Sequence, residues 1–580
     1  MAALTGLLCG LADTVAVQLP LFSTDRVIFV PPRIWLLIPL VWAGYLVFVA
    51  LLALAARMER WLPFLLTLAG PGLLGVTKVA VATRFLAPGK LIVIPLSLWT
   101  IAVVAVAAFV HRRARASHHP QRSMRLLGVT IAVLVLCGVL VIAQRDRTAS
   151  APRGKGRPGS PDVVVIFLDT VREDAMADAP ALRRFAAEGR YYTNAWSPYP
   201  WTLPSHLSMV TGYGPTTLDI DFDHQRYRGS RPTLAELFHR NGYETRAIFA
   251  NPYLNPVTGM SRGFDTFEYS ETDLDLCRTT FGFIVKAIPN ARVPVCRMTA
   301  DDITRHAQRA IAHRTRPLFL AVNYFDAHLP YWVPADRRPD GYRPFQPLVE
   351  YPLVDAALRR MTTVPPAIVD RLHHNYRISM HYLDDALARL LKTIQTDPQN
   401  TIVVVVGDHA EQFGEHGLTM HANSVYRQVL HVPLIVHGPG IAPSTFTQDV
   451  SATDVYGTVL AAAGLAGPRN ARALPVTSGE EAPVFSLYRA PRHSDGLPPR
   501  LARDGWSIVS GHFHFIRYSD HTSELYDLRN DPEETRNLAN DAGSAATLRR
   551  LSIMLAPAEA TRPGPDDEGK RNLFSVGYLQ

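Results

Sequence analysis

Thr202-Leu203-Pro204-Ser205-His206 sets a hydroxyl at the head of an apolar run, Leu207-Ser208-Met209-Val210-Thr211-Gly212. A Pro-Ser pair at such a place is a helix-start signal, because Pro fits the first turn and Ser caps N–H groups that lack a carbonyl partner. The N–H groups and the helix dipole favour a phosphate or sulfate beside Thr202, whose hydroxyl is expected to be exposed at the helix mouth. Elsewhere, Asp169, Asp408-His409 and the pair Asp326 and His328 each follow a short apolar run. A single Asp in that position is usually a turn or a helix cap. Three such places together with a hydroxyl make a ligand set, and oxygen with imidazole but no thiolate suits Zn²⁺, Mn²⁺, Mg²⁺ or Ca²⁺. A divalent metal ion there lowers the pKa of a bound hydroxyl and neutralises an anionic substrate, so that a Thr alkoxide can form a covalent intermediate.

The elements that must position these residues are readable from the apolar pattern. The run 163–168 is short and rich in β-branched residues, as in a buried strand, and similar runs recur at 318–323, 402–406 and 432–436. Helical patterns cover 181–188, 233–240 and about 366–396. Alternating strands and helices predict a mainly parallel sheet covered on both faces, with the chemistry gathered at the carboxyl ends of its strands.

The first quarter of the 580 residues differs from the rest. Apolar runs near 4–22, 34–56, 62–82, 91–110 and 126–144 are each close to the length that crosses a bilayer, which predicts a transmembrane bundle of about five helices over 1–145. Asp13 and Lys78 lie inside two of these runs, either as functional groups or as polar groups paired within the bundle. The net charge of +8 owes much to Arg112, Arg113, Arg115, Arg122 and Arg125 between the fourth and fifth runs. Together with Arg57 and Arg60 this cluster places the N-terminus inside and everything after residue 145 outside, as an integral membrane protein. No zinc-finger spacing, aromatic RNA-binding signature or basic helix is present, so nucleic acid is not an expected partner. Residues 146–160 read as a linker, 161–470 as a catalytic domain and 471–580 as a smaller C-terminal subdomain and tail. Cys9 and Cys137 fall in apolar runs, whereas Cys277 and Cys296 could form one disulfide in an exported domain.

Three segments carry a family resemblance: Phe167-Leu168-Asp169-Thr170-Val171-Arg172, Thr202-Leu203-Pro204-Ser205-His206, and Gly407-Asp408-His409-Ala410-Glu411-Gln412-Phe413-Gly414-Glu415-His416-Gly417. With Gly263-Phe264-Asp265, Tyr324-Phe325-Asp326-Ala327-His328, Val432-Pro433-Leu434-Ile435 and the late Glu524-Leu525-Tyr526-Asp527-Leu528, they resemble the sulfatase family of the alkaline-phosphatase superfamily in the correct order over about 161–540. The resemblance implies an α/β sulfatase-like domain with a metal site formed by Asp169, Thr202, Asp408 and His409. It puts Thr202 at the nucleophile position, and His328 and His421 at substrate-contacting or leaving-group positions.

The departures narrow the chemistry. Sulfatases proper resemble Cys or Ser followed by x-Pro-x-Arg, the first residue being oxidised to formylglycine, whereas this chain has Thr202 and His206. A secondary alcohol cannot give the same aldehyde. The second metal-binding Asp of the pattern is Thr170 here, and its Lys-containing segment is Asn251-Pro252-Tyr253. An unmodified Thr is similar to the nucleophile of phosphoethanolamine transferases and lipoteichoic acid synthases, which also carry about five spans before an exported domain. The resulting expectation is a membrane-anchored, metal-dependent hydrolase or transferase acting on phosphate or phosphodiester groups of a membrane lipid or envelope glycan. A sulfate-ester hydrolase without formylglycine, a binding or sensor protein with a retired site, and a transporter built on the spans are the rivals.

Overall fold

The computed structural model describes residues 159–270, 298–339, 364–395, 400–477, 482–491 and 497–560, with a few isolated positions between them. The five apolar runs, Asp13, Lys78 and all four cysteines lie outside the described residues. Among the described residues no helix is long and apolar enough to cross a membrane.

The chain builds an eight-stranded sheet in the order β10-β2-β9-β6-β1-β5-β3-β4. Its strands are β1 (Asp162–Leu168), β2 (Arg190–Trp196), β3 (Glu244–Phe249), β4 (Thr266–Tyr269), β5 (Leu318–Tyr324) and β6 (Thr401–Gly407), then β9 (His431–His437) and β10 (Ser444–Ser451) after a small hairpin of β7 (Gln412–Phe413) and β8 (Thr419–Met420). Every residue of β1, β5 and β6 is buried, which is why these segments read as unbroken apolar runs. All neighbours in the large sheet run parallel except at β9, which is antiparallel to both β2 and β6. The apolar run 432–436 is thus a strand, as its composition predicts, in a direction that composition does not encode.

The helices are α1 (Pro180–Glu188), α2 (Thr202–Thr211), α3 (Leu234–Arg240), α4 (Ala300–Ala312), α5 (Pro366–Ile394), α6 (Val455–Ala462) and α7 (Ala545–Ala560). Thr233 and Glu236 form a reciprocal capping box at the start of α3. Helix α1 has no side-chain cap of its own. Asp384 of α5 serves instead, accepting from Ala181 N at 2.8 Å and Leu182 N at 2.9 Å. This tie fixes α1 against α5 on one face of the sheet, while α2, α3 and α6 pack together as a second layer.

A four-stranded antiparallel sheet follows, β11 (Val484–Tyr488), β12 (Gly505–Ser510), β13 (Phe513–Tyr518) and β14 (Ser523–Asp527). Helix α7 covers it through Leu551 and Leu555 against Ile508, Phe515 and Leu525. The small sheet is joined to the large one by polar contacts: Ser486 Oγ donates to the Ser197 carbonyl at 2.7 Å, and Leu487 N to the Pro198 carbonyl at 3.0 Å.

Candidate active site

The carboxyl ends of four neighbouring parallel strands supply the site. Leu168 of β1 pairs with Gly407 of β6, so Asp169 and Asp408 leave adjacent strands side by side. Asn251 follows β3, two strands away from β1, and Asp326 and His328 follow β5. Helix α2 brings Thr202 over these ends as its first residue.

Thr202 Oγ1 lies 3.2 Å from His409 Nε2, 3.5 Å from Asp169 Oδ2 and 3.1 Å from Asn251 Nδ2. His409 donates from Nδ1 to the Ala410 carbonyl at 3.1 Å, which leaves Nε2 as the lone-pair nitrogen facing Thr202. Asn251 also donates to Asp169 Oδ2 at 2.7 Å, so one amide orients both the hydroxyl and the carboxylate. Asn251 is itself held by its backbone N–H, which donates to Asn323 Oδ1 at 2.9 Å. Asp408 Oδ1 accepts from Thr170 N at 3.2 Å and His409 N at 2.8 Å. Thr170 achieves this in the left-handed region, φ 57°, a costly conformation for a β-branched residue. His206, one turn into α2, places Nδ1 at 2.9 Å from the Thr202 carbonyl and 3.3 Å from Asp408 Oδ2, and its ring packs on Phe167.

All of these side chains are 0% exposed, so the exposed hydroxyl expected at the helix mouth is in fact buried. The expected Ser cap is also absent. Ser205 lies inside the helix and donates to the Tyr199 carbonyl at 2.9 Å, with Ser197 Oγ at 2.7 Å, because this turn outcompetes the helix end for its hydroxyl. Burial, followed by the charge of Asp408, holds the Asp169 carboxyl well above the usual carboxylate range. Burial opposes ionisation of Asp408 too, but His409, His206 and the His409 N–H more than offset it and keep that carboxyl low. Burial pushes His409 down to about 3, so its imidazole is neutral.

Asp169, Asp408 and His409 offer ligand atoms that all lie within 4.8 Å of one another. Asp169 Oδ1 and Asp408 Oδ2 are buried and accept no hydrogen bond among the described residues. Two buried carboxylates, each with one such oxygen, beside a neutral imidazole nitrogen fit a divalent cation and would be costly without one.

Of the six residues expected in the site, the structure brings Asp169, Thr202, Asp408 and His409 into one cluster. His421 stands one ring further out, its centroid 4.4 Å from that of His409, and His328 stands beyond it at 5.0 Å from His421. Asp326 is not in the cluster. It is buried near Tyr324 and Tyr382, where its charge adds to burial in raising both phenols. Asn251 and His206 stand out in the sequence only as departures from a pattern, and Glu411, which binds His421 Nδ1 at 2.9 Å, by no local signal.

Residues 161–465 match the family model described as Sulfatase, and 414–560 match the N-sulphoglucosamine sulphohydrolase C-terminal model. A sulfatase of Formosa agariphila is 25% identical over 493 residues, covering 74% of this chain and 92% of its own length. A choline-sulfatase of Rhizobium meliloti is 22% identical over 452 residues, covering 66% and 83%. The crystal structure of a phosphonate monoester hydrolase of Agrobacterium radiobacter shares the fold with a TM-score of 0.53 at 18% identity, covering 69% of this chain and 95% of that one. With a family model spanning more than half of its length, and covering the strands and the helix that build this site, the chain belongs to the sulfatase family of hydrolases.

Proposed function

We propose that this chain is a membrane-anchored, metal-dependent enzyme that transfers a phosphoryl group from a phosphate ester or phosphodiester to water or an acceptor hydroxyl through Thr202. The observation that carries the reading is the position of Thr202 Oγ1, 3.2 Å from His409 Nε2 and 3.5 Å from Asp169 Oδ2. Asp169, Asp408, His409 and Thr202 would hold a divalent cation (Zn²⁺, Mn²⁺, Mg²⁺ or Ca²⁺), which would supply charge neutralisation and a lowered hydroxyl pKa. The rest is done by the chain. Asn251 donates to Thr202 Oγ1 and leaves its hydroxyl proton directed at the two acceptors. Thr202 passes its hydroxyl proton to Asp169 Oδ2 as Oγ1 attacks phosphorus, the bond to the leaving oxygen breaks, and His421 or His328 gives that oxygen a proton; Asp169 returns its proton when Thr202 is freed. Water or an acceptor hydroxyl then attacks phosphorus and frees Thr202.

Thr202 and His206 favour phosphorus over sulfur, since they replace the oxidisable residue and the Arg of the formylglycine pattern. The five apolar runs and the arginines between them support a membrane-anchored enzyme with its catalytic domain outside, facing lipid headgroups or envelope glycans. The names of the two sulfatase relatives support a second reading, hydrolysis of sulfate esters by the unmodified Thr. Turnover of 4-nitrophenyl phosphodiester, phosphonate and sulfate esters by the purified protein, with each metal added in turn, separates the two. Turnover of the sulfate ester alone contradicts the phosphoryl reading.

A further inference from the structure

Glu411 ends the segment that carries Asp408 and His409, and the hairpin of β7 and β8 begins immediately after it. That hairpin pairs Gln412 with Met420, so the next residues outward, Glu411 and His421, meet across its open end. Glu411 Oε1 lies 2.9 Å from His421 Nδ1, and both side chains are buried. The second carboxylate oxygen is also committed, since Tyr331 OH donates to Oε2 at 3.2 Å. The backbone is fixed at both ends of this contact. Met420 and Ala422 flank His421 with φ 68° and 62°, and Ala422 N donates to the Pro200 carbonyl at 2.9 Å. On the other side, Arg172 Nη1 donates to the Glu411 carbonyl at 2.9 Å.

We infer that Glu411 is a positioning residue for the reaction, holding His421 by Nδ1 so that Nε2 is the nitrogen that serves the leaving oxygen. A carboxylate accepts only, so Nδ1 must carry hydrogen in this contact. The ring is then oriented as in a triad, where a buried acid fixes tautomer and rotation of a His without itself exchanging the proton. In the transfer step the Thr202 Oγ1–P bond forms as its hydroxyl proton passes to Asp169 Oδ2, the P–O bond to the leaving group breaks, and the proton on His421 Nε2 goes to the leaving oxygen. The Nδ1–H stays on the ring, bonded to Glu411. In the second step the attacking water or alcohol returns a proton to Nε2. The inference rests on the phosphoryl-transfer reading, with His421 as the acid.

The test compares a good leaving group, 4-nitrophenolate, with a poor one, an alkoxide, in phosphodiesters turned over by the full chain. Glu411→Gln is expected to lower kcat about 100-fold on the alkyl ester and only a few-fold on the nitrophenyl ester, with KM little changed. The double variant Glu411→Gln/His421→Ala is expected to be no slower than His421→Ala alone, because Glu411 acts through that ring. Equal losses on both esters, or losses that multiply in the double variant, overturn the inference. Should Glu411→Gln not fold, Tyr331→Phe takes its place, with the same selective loss supporting the inference and a uniform loss overturning it. Thr202→Ala is run beside them: turnover retained there contradicts the covalent reading itself, whatever the Glu411 variants do.

Discussion

Asp169 and Asp408 stand next to each other because the residues before them, Leu168 and Gly407, are register partners in adjacent parallel strands. Two buried carboxylates in that position repel, and the fold carries the cost as a raised Asp169 and a stabilised Asp408. The arrangement suits a bound cation. Binding of that cation and stability of the metal-free fold are therefore expected to oppose each other.

Asp169→Asn removes one of the two charges while keeping the shape. In the presence of a chelator it is expected to stabilise the protein by on the order of 2 kcal/mol at neutral pH, while abolishing turnover and metal content. The folded carboxyl titrates above its unfolded value, so the metal-free wild type loses stability as pH rises above about 4 and the variant does not. Thermal melts with and without chelator, beside elemental analysis, check both halves.

Metal removal is expected to stop turnover reversibly. Dialysis against a chelator should leave the secondary structure by circular dichroism intact, because Asp169, Asp408 and His409 sit on strand ends whose ladders do not depend on the ion. Activity should return with one of Zn²⁺, Mn²⁺, Mg²⁺ or Ca²⁺.

His206 is expected to tune the ligand set from behind. Its Nδ1 stands between the Thr202 carbonyl and Asp408 Oδ2, so His206→Ala frees both. A 10–100-fold fall in metal affinity is expected, since groups behind a ligand typically contribute that much. His206→Asn, whose amide can reach the same acceptors, should recover most of it. Titration of the apo-protein with metal measures this without recourse to turnover.

Glu534 joins the C-terminal sheet to the catalytic domain. It is buried and contacts His514 Nδ1, accepts from Arg427 N at 2.9 Å and lies 3.7 Å from His416 Nε2. Burial alone would raise its pKa, but His514, His416 and the Arg427 N–H lower it to about 2. A depressed carboxyl contributes stability above its unfolded pKa, here about 4.5, that is lost as pH falls toward 2. Glu534→Gln should cost about 3 kcal/mol at pH 7 and flatten the acid limb of the stability curve. Denaturant titrations at several pH values report both.

Much of this architecture is legible in the residues. Asp169 and Asp408-His409 each close an apolar run, and a fully buried parallel strand must announce itself in that way. The long helix α5 shows its period over many turns. What escapes the sequence is set by distant partners. Ser205 has the type and place of a cap, and only the nearby Tyr199 carbonyl and Ser197 hydroxyl redirect it. The direction of β9 leaves no mark in its composition. Asn251 is an ordinary loop residue until β3 carries it to Thr202, 49 positions away in sequence. Glu411 meets His421 through strands of two residues each, too short for any alternation to register.

Covalent attack by Thr202 is the centre of the account, and Thr202→Ala is expected to lose at least about 10³-fold in kcat with its melting temperature little changed. The most direct measurement is mass spectrometry of the Thr202 peptide after rapid quenching during turnover of a phosphodiester. The account predicts a phosphoryl adduct on Thr202 that still bears the second ester group and disappears as substrate is exhausted. An unmodified Thr202 while substrate is consumed with the second step rate-limiting, or an adduct on another residue, contradicts it.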